Sequence, residues 1–75
     1  MPRFFFHLTD GTEVLDDPDG LELAGEAAAR EEAMLVAADV KTRFKPRDWA
    51  GWVVQIVDDK GRPVDQIPVI TAEQA

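Results

Sequence analysis

The chain has 75 residues, room for a single domain, and folds of that size bury only about 60–65% of the surface their unfolded chain exposes. Apolar residues make up 45% of it and cysteine is absent, which describes a globular chain and excludes disulfides, thiolate zinc sites and cysteine nucleophiles. Eight basic against 15 acidic side chains give 8 − 15 = −7, a field that repels nucleic acid and anionic membrane surfaces.

Arg3 to Thr9 alternates into two faces, Phe4/Phe6/Leu8 and Phe5/His7/Thr9, as a strand does. This apolar opening is too short for a signal-peptide core, and no run reaches membrane-spanning length, so the expected location is the cytoplasm. Asp10-Gly11 follows directly and predicts a two-residue type I′ hairpin turn, with Thr12 to Leu15 as the return strand. Asp16-Asp17-Pro18-Asp19-Gly20 then reads as a loop.

From about Gly25 to Phe44 the residues Ala29, Ala33, Val36, Ala37, Val40 and Phe44 form one stripe at helical spacing. Glu26 with Arg30 and Asp39 with Arg43 are acid-first i,i+4 pairs worth roughly 0.3 kcal/mol each. Pro46 ends this helix. Trp52 to Val57 alternates as a third strand, Asp58-Asp59-Lys60-Gly61 turns the chain, and Arg62 to Ile67 makes a fourth strand whose flanking Pro63 and Pro68 suit a sheet edge. The domain is expected to span residues 1–70, with 71–75 as a frayed tail.

These elements predict an α+β fold: a two-layer ββαββ unit whose four-stranded antiparallel sheet has the order 2-1-3-4, with one helix crossing the first strand. The helix is expected on the Phe4/Phe6/Leu8 and Trp52/Val54/Ile56 face, with Trp52 in the core and Trp49 either capping the helix or joining a contact surface. That arrangement leaves Phe5, His7, Thr9, Val53, Gln55 and Val57 on an uncovered face too apolar to be routine surface. Burying roughly 400 Å² there is worth on the order of 10 kcal/mol before the cost of association. A chain held by packing alone nets only about 3–5 kcal/mol, so a homo-oligomer or an unidentified protein partner is expected on Phe5, His7, Val53, Gln55 and Val57.

The acidic stretch 16–26 carries a competing expectation. Asp17, Asp19, Gly20 and Glu26 match positions three, five, six and twelve of a calcium loop, although Leu15 stands where the first ligand belongs. The alternative reading makes these acids turn formers and helix-start residues. His7 is the sole histidine and nothing near it in sequence completes a catalytic or metal set, so it reads as a sheet-face residue offering one ring nitrogen to a neighbour. Lys41, Arg43, Lys45 and Arg47 suit a helix C-terminus better than a nucleic-acid footprint in so acidic a chain. Ala27, Ala28, Met34, Leu35 and Ala38 make a second, small-residue patch on the helix. No phosphate loop, dinucleotide fingerprint or nucleophile elbow is present, and neither a cofactor nor an enzymatic activity is expected.

Pro2-Arg3-Phe4-Phe5-Phe6-His7-Leu8, then Asp10-Gly11, Gly20-Leu21-Glu22-Leu23, Ala28-Ala29-Arg30-Glu31-Glu32-Ala33, Gly51-Trp52 and Gly61-Arg62 together resemble a family of short bacterial proteins known only as a domain of unknown function. The likeness spans nearly the whole chain. It implies the same compact α+β unit and brings no activity, ligand or catalytic residue with it. The sequence reading is therefore a non-catalytic interaction or accessory module, self-associating through its open sheet face, with a calcium-binding regulatory domain as the alternative.

Overall fold

Alternation of buried and half-buried residues along Arg3–Thr9 defines β1, the centre of an antiparallel sheet in the computed structural model, which describes residues 2–43 and 49–69, with backbone alone at 41–43. The remaining elements are β2 (Val14–Leu15), β3 (Leu21–Glu22), α1 (Glu26–Arg43), β4 (Val53–Asp58) and β5 (Pro63–Pro68). β1 pairs with β4 from Phe4↔Asp58 to Thr9↔Val53, and β4 pairs with β5 from Val53↔Pro68 to Val57↔Pro63, with a bulge at Ile56/Val57. The order β2-β1-β4-β5 reproduces the expected 2-1-3-4 path, and β3 adds a fifth strand that pairs with β1 beside β2.

Phe4, Phe6, Leu8, Trp52, Val54 and Ile56 are buried beneath α1, as the uninterrupted apolar faces required. Ala29, Ala33, Ala37 and Val40 complete that core from the helix. Because three of these four are alanines, the helix axis can approach the sheet closely. Among the described residues Ile56, Val54, Val40 and Val69 are the largest fully buried side chains, each worth roughly 1.5–3 kcal/mol of burial. Arg30 ties the helix to β5 by a 2.8 Å bond from Nε to Asp65 Oδ2 and reaches Glu26 at 3.6 Å.

Several details depart from expectation. The helix lies over β4 and β5 more than over β1, so it does not cross the first strand centrally. Asp10-Gly11 is not a type I′ turn, since no described non-glycine residue has positive φ. Instead residues 10–13 form a four-residue loop: the Asp10 carboxylate accepts the Thr12 and Glu13 amides at 2.9 and 2.8 Å, and the return strand starts only at Val14. That local side-chain bond competes successfully with the shorter turn. Trp49 is as buried as Trp52 and packs edge-on against it at 5.2 Å, which places both indoles in the core. The expected roles of Phe44, Pro46, the Asp39 to Arg43 pair, the basic cluster Lys41, Arg43, Lys45 and Arg47, and the tail 71–75 fall outside the described residues or side chains.

Candidate functional site: the outer sheet face and its edge loop

The face away from α1 is organised in three rows by strand register. Phe5, Val57 and Pro63 form one row, His7, Gln55 and Gln66 the next, and Thr9, Val53 and Pro68 the third. Phe5, His7, Thr9, Val53, Gln55 and Val57 are all half-buried rather than bare. Part of that cover comes from the loop 16–20, which folds over the Phe5 and His7 end. The glycine at its far end is pressed against β1: a Cβ on Gly20 would lie 2.7 Å from the Phe4 carbonyl oxygen and 2.9 Å from the Phe5 ring. Gly20 also adopts φ +67°, so both its backbone and its surroundings require the absence of a side chain.

The loop exists because the two chains bordering that edge differ in length. Leu8 faces Leu15 while Phe4 faces Leu21, so the strand opposite carries two residues more than β1 between these points. The surplus cannot continue the ladder, which would leave the middle of β1 without partners. Asp17 fills the gap: its Oδ2 accepts the Phe6 amide at 3.1 Å and its Oδ1 accepts the Gly20 amide at 3.2 Å. Its own amide donates to His7 Nδ1 at 3.0 Å. His7 thus offers one ring nitrogen to a neighbour, and the ring proton of the neutral form sits on Nε2. The imidazole is nearly parallel to the Phe5 ring, 6.3 Å away, and Asp16 Oδ1 lies 3.8 Å from Nδ1.

Two concavities flank this loop. On the outer face a shallow notch of about 420 Å³ lies over Phe5, His7 and Val57, between Asp16, Asp17 and Pro18 on one side and Asp58, Asp59 and Gly61 on the other. On the helix side a cavity of about 370 Å³ is lined by Phe6, Leu8, Val36 and Val40 with Glu32 and the loop at its mouth. It follows from the displacement of α1 toward β4 and β5, which leaves the β1 side of the inner layer thinly covered.

The sequence candidates for a cation do not converge. Asp17 accepts one backbone amide on each oxygen, Glu26 reaches Arg30, and Asp19 takes part through its backbone carbonyl, which accepts from Arg3 at 2.7 Å. Among the described residues no group of three or more histidine or acidic side chains is placed to hold a metal ion. Elsewhere on the surface, Arg30 holds the Asp65 carboxyl below its usual range, chiefly through their hydrogen bond, and is itself raised by Asp65. Asp58 is lowered first by the Arg62 amide, which its Oδ1 accepts together with that of Lys60. Both carboxylates hold turns and layers together rather than line up for proton transfer.

Sequence reasoning missed the latch made by Asp17. The available signal was Asp17-Pro18-Asp19-Gly20, an acid three residues before a glycine, which is the spacing for a side-chain bond across a turn. On the helix, Met34 and Leu35 are 57% and 64% exposed, as the second patch anticipated. No helix of the described residues is long and apolar enough to cross a membrane. The profile of one protein family, described as Domain of unknown function (DUF6894), matches residues 3–71. No curated protein and no solved structure matches the chain.

Proposed function

We propose that this chain, which belongs to the family described as Domain of unknown function (DUF6894), is a small non-catalytic interaction module that self-associates through the outer face of its sheet. One observation carries the reading. The three rows Phe5/Val57/Pro63, His7/Gln55/Gln66 and Thr9/Val53/Pro68 contain no aspartate, glutamate, lysine or arginine, in a chain of which those residues form 31%. Depletion of charge in the centre of a patch, rather than bulk hydrophobicity, is what separates interfaces from ordinary surface.

The pattern also suits a second copy. Apolar rows lie on both sides of a row of two amides and an imidazole, so a two-fold axis through the middle row sets the Phe5 row of one copy on the Thr9 row of the other. Such an isologous contact is self-complementary, with the acids Asp16, Asp17, Asp58 and Asp59 at the rim of the Phe5 row rather than within the rows. Nine residues per side is well below the roughly 20–30 of a standard interface, so a wide concentration range is needed to detect the contact. Sedimentation from about 5 to 500 µM tests this: the mass should approach twice 8.3 kDa and return to the monomer value in Val53→Asp or Gln55→Asp. A wild-type chain that stays monomeric throughout, or a dimer indifferent to both substitutions, refutes it.

A further inference from the structure

We infer that His7 is a pH-sensitive latch that holds the loop 16–20 on the edge of β1 only while its ring is neutral. The bond from the Asp17 amide to His7 Nδ1, 3.0 Å long, needs a lone pair on that nitrogen. A protonated ring carries a hydrogen there and sets donor against donor, so the bond is lost and replaced by a repulsive contact. An alternative partner is already adjacent, since Asp16 Oδ1 lies 3.8 Å from the same nitrogen and its side chain is 78% exposed. Protonation therefore exchanges the amide of residue 17 for the carboxylate of residue 16, a change that the loop backbone must follow.

The consequence reaches beyond one bond because Asp17 is bound at three points. The same residue accepts the Phe6 amide on β1 and the Gly20 amide at the loop's end. Rotating its backbone toward the Asp16 arrangement pulls both carboxylate oxygens off these donors. That exposes the stretch of β1 between β2 and β3 and joins the notch on the outer face to the cavity beneath the helix, whose common wall is this loop. The charged group closest to His7 is Asp16; Asp17 of the loop, Asp58 at the end of β4, which is engaged by Arg62, and Asp59 after it line the same notch. Gln55, its neighbour on β4, is neutral, and Asp65 of β5 is engaged on the helix side by Arg30. The surroundings thus offer carboxylates to an imidazolium, while the geometry of the closed loop fits the neutral ring.

The switch is tested by following the ring and the loop together while the pH is lowered from 8. Ring ¹⁵N spectra should show Nδ1 unprotonated and Nε2 protonated at pH 8. As the ring titrates, the amides of Phe6, Asp17 and Gly20 should shift with the same midpoint. Their hydrogen-exchange protection, corrected for intrinsic rates, should fall about fivefold or more, the factor for one lost hydrogen bond. His7→Asn places an acceptor that never titrates, its Oδ1, near the position of Nδ1 and should remove this pH dependence while keeping the loop protected. A ring found protonated on Nδ1 at pH 8, or Asp17 protection unchanged as the wild-type ring titrates, overturns the inference, and either readout stands without the variant.

Discussion

Replacing Asp17 with alanine removes the acceptor for two backbone amides at once, those of Phe6 and Gly20 at 3.1 and 3.2 Å. Hydrogen bonds to a charged group contribute about 1.5–3 kcal/mol each when shielded. Both of these are part-buried, and water replaces some of what is lost, so the pair together should be worth about 2 kcal/mol. For a domain this small, 1 kcal/mol moves Tm by about 4–8 °C, which sets the expected drop at roughly 8–16 °C. Urea unfolding followed by the emission of Trp49 and Trp52, both buried, reads the same loss as a lower midpoint. Asp19→Ala is the matched control, because it removes an acid of the same loop whose role there is a backbone carbonyl. A loss below about 0.5 kcal/mol for Asp17→Ala, or equal losses for the two variants, would mean that the loop is held by something other than this carboxylate.

Three further outcomes follow from the same geometry. Gly20→Ala should cost about 2–3 kcal/mol, since φ is +67° and its Cβ would meet the Phe4 carbonyl at 2.7 Å, whereas Gly61→Ala, strained in φ but facing open space, should cost only about 1 kcal/mol; equal midpoints in urea would contradict this. Asp65 and Asp58 have folded-state pKa values below the ordinary carboxylate range, so the stability they contribute is complete above that range and is lost as pH falls through the lowered values. Asp65→Asn should flatten this acid limb below about pH 4, while the raised Arg30 matters only at the alkaline extreme; an acid limb unchanged by Asp65→Asn counts against the bond. Calcium at millimolar concentration should leave the Gly20 amide resonance in place, because Asp17, Asp19 and Glu26 are engaged by separate partners rather than converging on one point; a saturable shift there would favour the cation reading of Asp17, Asp19 and Glu26.

The inner layer was legible because its code is periodic. Phe4, Phe6 and Leu8 at spacing two, and Ala29, Ala33, Ala37 and Val40 at helical spacing, name the two surfaces that meet. The outer-face residues were likewise fixed once the strands were placed, since register alone assigns them to rows. What the sequence hid was the edge of β1. β3 is two residues long, too short to show a period, and the contacts that matter there run between Asp17 and residues 10 and 11 positions away. Such bonds depend on the surplus of two residues between pairing points, which appears only when both registers are known. Trp49 escaped for a related reason: beyond the helix no period governs it, and its burial depends on the Trp52 ring it meets.

Edge protection decides which surface remains for association. Sheets recruit partners most readily through unpaired strand edges, and in this sheet the flanks of β1 and β5 carry features that interrupt a continued ladder. On the β1 side, β2 and β3 pair its ends and Asp17 occupies the Phe6 amide between them. On the β5 side, Pro63 and Pro68 have no amide to give, and the Gln66 amide donates to Asp65 Oδ1 at 2.8 Å. These features favour the outer face over sheet extension for the self-association proposed above. If the chain pairs by the rows of Phe5 and Thr9, raising its concentration should shift the Val53 and Val57 methyl resonances while the Val64 and Gln66 amides stay still. Movement of those β5 amides without the methyls would place the contact at the edge, and the reading of the three uncharged rows would fall with it.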